Sequence, residues 1–259
     1  EHLRGNQAGY AKFETFPVWN LPLKHPINMA YEAATADLND VNMIDPYHLE
    51  AYGKTAVSYN RDTEIFPVLD ALFTGIYGHN PYKSPTDMGV NMVGFCIDDD
   101  AACCEASKQE IIRRYYHALN DFANGDISES VVNRIARLFK QVGISTADRR
   151  TTVAANERKE RNSAMAVAAI ELHDGTIITS EASPLLGSSA ALLLNATKYL
   201  AGIDHDVKLI PQEMIEPIQH TKISYLRGRN PRLHTDEVLV ALSVLSLHDE
   251  NCRKTLEAL

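Results

Sequence analysis

Two stretches in the middle of the chain constrain its fold most. Residues 99–125, DDAACCEASKQEIIRRYYHALNDFANG, and residues 126–143, DISESVVNRIARLFKQVG, carry apolar side chains at three-and-four spacing. Each opens on aspartate and closes on glycine. An aspartate side chain accepts from the free N–H groups of a helix start, and glycine adopts the left-handed conformation that ends one. Each helix has an apolar stripe to bury, and the junction between them is short. The spacing therefore predicts an antiparallel helical pair.

Around this pair the pattern is mixed. KFETFPVWNLPLKHP (12–26) is broken by Pro17, Pro22 and Pro26 and reads as extended. Pro26 suits the first turn of a helix through INMAYEAATADL. A short helix over 45–53 ends at Gly53, and a longer one over 62–78 is capped by Asp62 or Thr63, with Pro67 early in it. MVGFCI (92–97) is short and apolar. Near Ser163 the character changes. AMAVAAIELHDGTIITS (164–180) is two strand-like runs about Asp174-Gly175, a hairpin signal. A helix over 187–202 starts on serines, with Ser188 or Ser189 as its cap. VKLIP (207–211) reads as a strand, QEMIEPIQHTKISYL as helical, and 235–248 as a capped helix that ENCRKTLEAL continues. The predicted class is mixed, helix-rich α/β: a segment over 1–97, a helical subdomain over 98–162 and an α/β subdomain over 163–259.

Several functions are excluded or disfavoured. Lysine and arginine total 25 against 34 for aspartate and glutamate, a formal charge of −9, which argues against a nucleic-acid footprint or an anionic membrane surface. The most apolar run, VLVALSVLSL (238–247), is about half the ~20 residues that a spanning helix needs. Cys96, Cys103, Cys104 and Cys252 lack the spacing of a disulfide framework, so free thiols in a reducing cytosol are expected. No phosphate-loop motif and no Gly-x-Ser-x-Gly elbow occurs. No histidine lies at ligand spacing from Cys96, Cys103 or Cys104, so no metal is expected.

Two polar clusters remain. The first, HNPYKSPTDMGVN (79–91), is a turn-rich segment with more polar groups than one turn needs. Lys83 supplies a cation suited to phosphate or carboxylate, Ser84, Thr86 and Asn91 supply orienting hydrogen bonds, and Asp87 is an acid/base candidate. Turn capping by Ser84 and Asp87, with Gly89 at a positive φ, explains the same residues equally well. The second cluster is Lys24-His25 at a helix start, where an anionic ligand docks readily and a cap is the competing explanation. Asn60, Arg61 and Asp62 mark another helix start, and Arg113 and Arg114 are read as surface residues.

The order hairpin-then-helix over 164–202 is that of zinc-dependent cytidine deaminases. Their His/Cys-x-Glu and Pro-Cys-x-x-Cys ligand motifs are missing, and the helix begins GSSAALLL instead. FETFPVWNLPLKHPINMAYEAATADLNDVNMID, YKSPTDMGVNMVGF and EASKQEIIRRYYHA resemble the DUF1846 (UPF0371) family of uncharacterised bacterial proteins. The resemblance runs through most of the chain. It implies a longer polypeptide, with a Rossmann-like, phosphate-loop half before Glu1 and a further segment after Leu259, so that this chain is a partial one. It also implies a deaminase-like C-terminal subdomain without the zinc site. It assigns no activity and no catalytic residues.

The expectation is a cytoplasmic enzyme, or part of one, acting on a phosphorylated or carboxylated small molecule. Lys83 and Asp87 are its catalytic candidates; Ser84, Thr86, Asn91, Lys24 and His25 are its substrate-binding candidates. A nucleotide is expected to bind outside this chain. The alternative is a homo-oligomerising module with no catalysis of its own, built on apolar faces of the helical pair.

Overall fold

A computed structural model of the chain describes residues 4–5, 17–161 and 165–259. The expectation of extended structure over 12–16 lies outside them. The chain divides into two compact units, Glu1–Asp148 and Arg149–Leu259. Among the described residues the architecture is helix-rich with two small antiparallel sheets, which agrees with the mixed α/β class.

In the first unit, α1 (Pro26–Ala34) has Pro26 at its first position, as expected. A 3-10 turn over Ala36–Leu38 follows it. Strand β1 (Asn42–Ile44) pairs antiparallel with β2 (Val57–Tyr59) in the register Met43 opposite Ser58, and α2 (Pro46–Tyr52) spans the gap between them. Helix α3 (Asn60–Tyr77) begins earlier than the capping residues suggest. Its cap is Tyr59, so Pro67 falls in the helix interior. Then come the one-turn α4 (Pro85–Met88) and a 3-10 turn over Val93–Cys96 where the apolar run had no assigned shape. Gly94 has a packing reason: a Cβ there would lie 2.3 Å from Asn20 Oδ1 and 2.9 Å from Val18 Cγ1.

Helices α5 (Asp100–Asn124) and α6 (Glu129–Val142) are the predicted pair. Asp99 caps the first and Gly125 ends it at φ 84°. Asp126 does not cap α6. Its N–H is drawn back to the carbonyl of Asp121, so the helix starts three residues later with Ser128 as its cap residue. The apolar faces of the pair are not left for assembly. Ile111, Ala118, Val132, Ile135 and Leu138 close over Met29 and Ala33 of α1 in one buried core. Arg113 and Arg114 both turn outward to Glu110, as read. They hold its carboxyl down at about 2, chiefly through the Arg113 hydrogen bond.

The polar edge of α1 is as constrained as its apolar face. Asn28, fully buried, accepts from the Val18 N–H at 2.6 Å and donates to the carbonyls of Val18 and Pro22, both at 3.2 Å. Asp40, equally buried, receives Arg61 through Nε at 2.5 Å and Nη2 at 2.8 Å, and the Tyr31 hydroxyl at 3.2 Å. A buried carboxylate needs such a partner, since losing one leaves an uncompensated charge that costs several kcal/mol, roughly 3–5.

The second unit begins with α7 (Arg150–Arg161), which lies on the predicted hairpin of β3 (Val167–Glu171) and β4 (Ile177–Glu181). Arg150 bridges to Glu171 and to the Gly175 carbonyl at the turn. Helix α8 (Ser188–Leu200) covers the hairpin, but its cap residue is Gly187 and neither serine caps it. Ser188 offers its carbonyl to Ser180 Oγ at 2.6 Å instead. Residues 207–211 form no strand. Leu209 and Ile210 are buried in the core with Leu194, Leu233, Val238 and Leu242, and apolar burial there comes without strand pairing. The buried Lys198 donates to the carbonyls of His205 and Val207, holding this segment as a loop. Pro211 then leads into α9 (Gln212–His220), which runs on through a π turn to Tyr225. Helix α10 (Thr235–Leu245) has a reciprocal capping box between His234 and Glu237. The chain does not continue it: α11 (Glu250–Glu257) is separate, started by its own cap Asp249.

Glu32, on the polar edge of α1, is 8% exposed and accepts from the Asn42 N–H at 3.2 Å. Burial raises its carboxyl pKa above the ordinary value, against the opposing pull of that hydrogen bond and of Arg134. A raised native pKa means the folded chain binds its proton more tightly than the unfolded chain does. Stability is therefore lost as pH rises through the window above 4.5. Glu32→Gln, which keeps an acceptor for Asn42, should make the protein more stable at pH 7. Urea titrations across pH should show that advantage shrinking toward pH 4.5 and disappearing below it.

Candidate functional site

The segment 79–91 is built onto α2 by buried caps. Asp45, fully buried, caps α2 by accepting from the His48 N–H at 3.0 Å through one oxygen. Its other oxygen accepts from both the N–H (3.0 Å) and the hydroxyl (2.6 Å) of Thr86. Ser84, also fully buried, caps α4: its Oγ accepts from the Asp87 N–H at 3.2 Å and lies 3.1 Å from His48 Nδ1. One aspartate thus fixes both α2 and the loop, and one serine fixes both α4 and an imidazole.

Outside this buried layer lies a more open one. Asp87 Oδ2 accepts from the Tyr52 hydroxyl and from the Lys83 N–H, both at 2.9 Å, and its Oδ1 lies 3.8 Å from His48 Nδ1. That hydrogen bond, more than burial, raises the Tyr52 phenol pKa, because the carboxylate holds its proton. The ammonium of Lys83 sits 5.6 Å from the centre of the Tyr52 ring, a cation–π contact. Lys83 is exposed, and among the described residues its ammonium, unlike its backbone N–H, forms no ion pair with a carboxylate. Beside the loop, Pro17, Ser58, Tyr59, Asp62, Thr86 and Gly89 line a shallow cleft.

The sequence-derived candidates therefore separate. Lys83, Ser84, Thr86 and Asp87 come together on α2. Among the described residues Asn91 is held elsewhere: it forms a bridge with Val18, its carbonyl accepts from the Trp19 N–H at 3.4 Å, and its side chain accepts from the Val93 N–H at 3.0 Å. Lys24 is exposed, and His25 caps α1 through Nδ1, which accepts from the Ile27 N–H at 3.3 Å. The other face of that ring meets Asp100 and Cys104 at the start of α5, not the loop. Reading the chain residue by residue missed His48, Tyr52 and Asp45. A helix at 45–53 was legible, and its i, i+4 spacing puts His48 and Tyr52 on one face, but nothing local to either segment signals that the loop lands there.

Two family profiles together match nearly the whole chain. The one described as domain of unknown function DUF1846, N-terminal, matches residues 1–143, and its C-terminal counterpart matches residues 147–259. Curated relatives named UPF0371 protein include one from Corynebacterium urealyticum, 60% identical over 259 residues. Others come from Corynebacterium aurimucosum, at 57%, and Streptococcus thermophilus, at 55%. Each match covers 100% of this chain and 52% of the relative, so the chain spans about half the length of the curated relatives it matches. No helix among the described residues is long and apolar enough to cross a membrane.

The two layers of the site should respond differently to substitution. Ser84→Ala removes a cap and Thr86→Val removes a hydrogen bond to a buried carboxylate, so each should cost about 1–2 kcal/mol. Lys83→Ala, at the surface, should stay within about 0.5 kcal/mol of the parent. Thermal unfolding of the three variants checks both statements.

Proposed function

The chain belongs to the DUF1846 family, and on that premise we propose that it is part of a cytosolic enzyme acting on an anionic small molecule. The observation that carries the reading is the open layer over α2. There Lys83, Tyr52 and Asp87, with the buried His48 imidazole beneath them, gather a cation and three proton-transfer groups on one face. Lys83 holds the phosphate or carboxylate of the ligand as a point charge. Asp87 is the acid/base, relaying through the Tyr52 hydroxyl that it already polarises. Ser84 and Thr86 act by holding Asp87 and Lys83 in place. A chain of net charge −9 repels anions at long range, but beyond ~8 Å that field is screened at physiological salt, so a local cation decides. A nucleotide bound outside this chain belongs to the same reading, as does a deaminase-like second unit without zinc, which the hairpin-then-helix order of β3, β4 and α8 supports.

A thermal-shift panel of phosphorylated and carboxylated metabolites and nucleotides tests the reading, on this chain and on a full-length relative. A ligand at a hundred times its dissociation constant adds about 2.7 kcal/mol, a shift of several degrees at this size. The shift should disappear in Lys83→Ala and survive in Lys24→Ala. A panel without a hit on either protein, or a hit indifferent to Lys83, sinks the reading.

A second reading, an assembly module, is favoured by α3. Of its eighteen residues only Thr63 and Phe66 are buried, while Ile65, Val68, Leu72 and Ile76 stand 45–59% exposed at spacings of three and four. Such a stripe packs against its own antiparallel copy about a two-fold axis, so its occupant on this reading is a second copy of the chain. Light scattering behind size exclusion should then give a dimer that Leu72→Asp converts to monomer. A monomeric parent removes this reading and leaves the first untouched.

A further inference from the structure

The ring of His25 points away from the loop site and into a separate cluster. Helices α1 and α5 pack together, and where they begin three unlike ligand atoms converge from residues 75 and 79 positions apart in sequence. His25 Nε2 lies 3.0 Å from Asp100 Oδ1, Cys104 Sγ lies 3.6 Å from His25 Nε2, and Cys104 Sγ lies 3.6 Å from Asp100 Oδ2. Asp100 and Cys104 are one turn apart on α5, so they share a face. The histidine side chain is 10% exposed and the aspartate side chain 61%, which closes the site on one side and opens it on the other.

The size of this triangle is informative. Zinc bonds run to about 2.0–2.1 Å for nitrogen and oxygen and about 2.3 Å for sulfur. In a tetrahedron these lengths put nitrogen and oxygen ligands ~3.4 Å apart, and sulfur ~3.6 Å from either. The Cys104–His25 separation matches such an edge, and the histidine and cysteine reach different oxygens of Asp100 at 3.0 and 3.6 Å. One ligand atom from each residue lies within 4.8 Å of the other two, so a small adjustment brings the three onto one face of such a site.

We propose that His25, Asp100 and Cys104 form a three-ligand site for a divalent transition metal of zinc's coordination class. A thiolate and an imidazole select against magnesium and calcium, which take oxygen ligands. Three protein ligands leave a fourth position on the open, Asp100 side, the arrangement of a metal that binds water or substrate.

Metal binding here is an exchange of bonds. Without metal, the Cys104 S–H and the His25 Nε2–H both donate to Asp100, since Nδ1 is already the acceptor of the Ile27 N–H. With metal bound, the thiol proton passes to solvent and the imidazole proton moves from Nε2 to Nδ1. The 3.3 Å cap bond of α1 is then given up for a coordinate bond. Cys103, the neighbouring thiol, points elsewhere on the helix and takes no part.

Cobalt(II) titration of the reduced chain tests the site, with zinc as competitor. One equivalent should produce the sulfur-to-cobalt charge-transfer band and the intense visible absorption of four-coordinate cobalt, and zinc should abolish both. Cys104→Ser should remove the charge-transfer band. Asp100→Asn, at an exposed position that leaves folding intact, should weaken cobalt binding at least about tenfold, the lower end of what even an outer-shell partner contributes. Nitrogen-15 spectra should show the His25 proton on Nδ1 once zinc is bound. No band at stoichiometric cobalt overturns the proposal. So does a band that survives Cys104→Ser, which would place the metal on another thiol, or an affinity indifferent to Asp100→Asn.

Discussion

The first unit depends on α1 being used on both of its faces. Its apolar side, Met29 and Ala33, is the surface on which α5 and α6 close. Its polar side, Asn28, Tyr31 and Glu32, holds three separate parts of the chain: the backbone of residues 18–22, the side chain of Asp40 and the backbone of Asn42. Asn28 makes the constraint explicit, because it is buried and its side-chain amide meets Val18 and Pro22 while its backbone carbonyl accepts from the Asn42 side-chain amide at 2.6 Å. A buried amide left unpaired costs about 1–3 kcal/mol, so the segment before α1 and the strand after it are held by the same residue. The strand β1 that α1 anchors carries the chain directly into the Asp45 cap of α2, and hence into the loop site.

In that site most of the polarity is spent on construction. Ser84 and Thr86 look in sequence like ligand-binding hydroxyls, yet one caps α4 and the other completes Asp45. The loop is long and polar because it has no regular ladder, and its backbone and side chains satisfy one another instead. What this construction leaves over is the Lys83 ammonium, the Tyr52 phenol and the partly exposed Asp87 carboxylate, whose Oδ2 also holds the Lys83 N–H. Those two layers, a rigid buried one and a chemically available outer one, are what a preorganised binding site needs.

Much of the fold was legible because its signals are local. Gly53, Gly125 and Gly143 end helices where a left-handed residue is required, and Asp174-Gly175 turns a hairpin because the turn demands it. Two misreadings are of one kind, in that a residue with the look of a cap is committed to another contact. Asp126 looks like a cap, but its N–H serves the end of α5. Ser188 looks like one too, yet its carbonyl is committed to Ser180. In 207–211 the apolar run signalled burial correctly and strand wrongly, since Lys198 supplies the partners that a neighbouring strand would have supplied. The contacts that carry chemistry were illegible for a different reason. Asp45 with Thr86 and His25 with Cys104 are separated by 41 and 79 residues, and only the packing of helices brings them together.

Both candidate sites hang from helix starts, and this shapes how their residues can be tested. His25, Asp45 and Ser84 are each a cap and each a neighbour of the proposed chemistry. A cap holds a polar side chain in one rotamer by bonds to backbone, a rigidity that serves the loop site, whereas at His25 the cap positions the ring and is given up when metal binds. The same bonds make the residue structural, so losing function on replacing it cannot separate the two roles. Lys83 and Asp100 are the exceptions. One stands beside a cap and the other within the first turn after one, and neither side chain holds a helix terminus. Their replacement removes charge and ligand character while leaving the helices their partners, so a change in binding there belongs to the site and not to the fold.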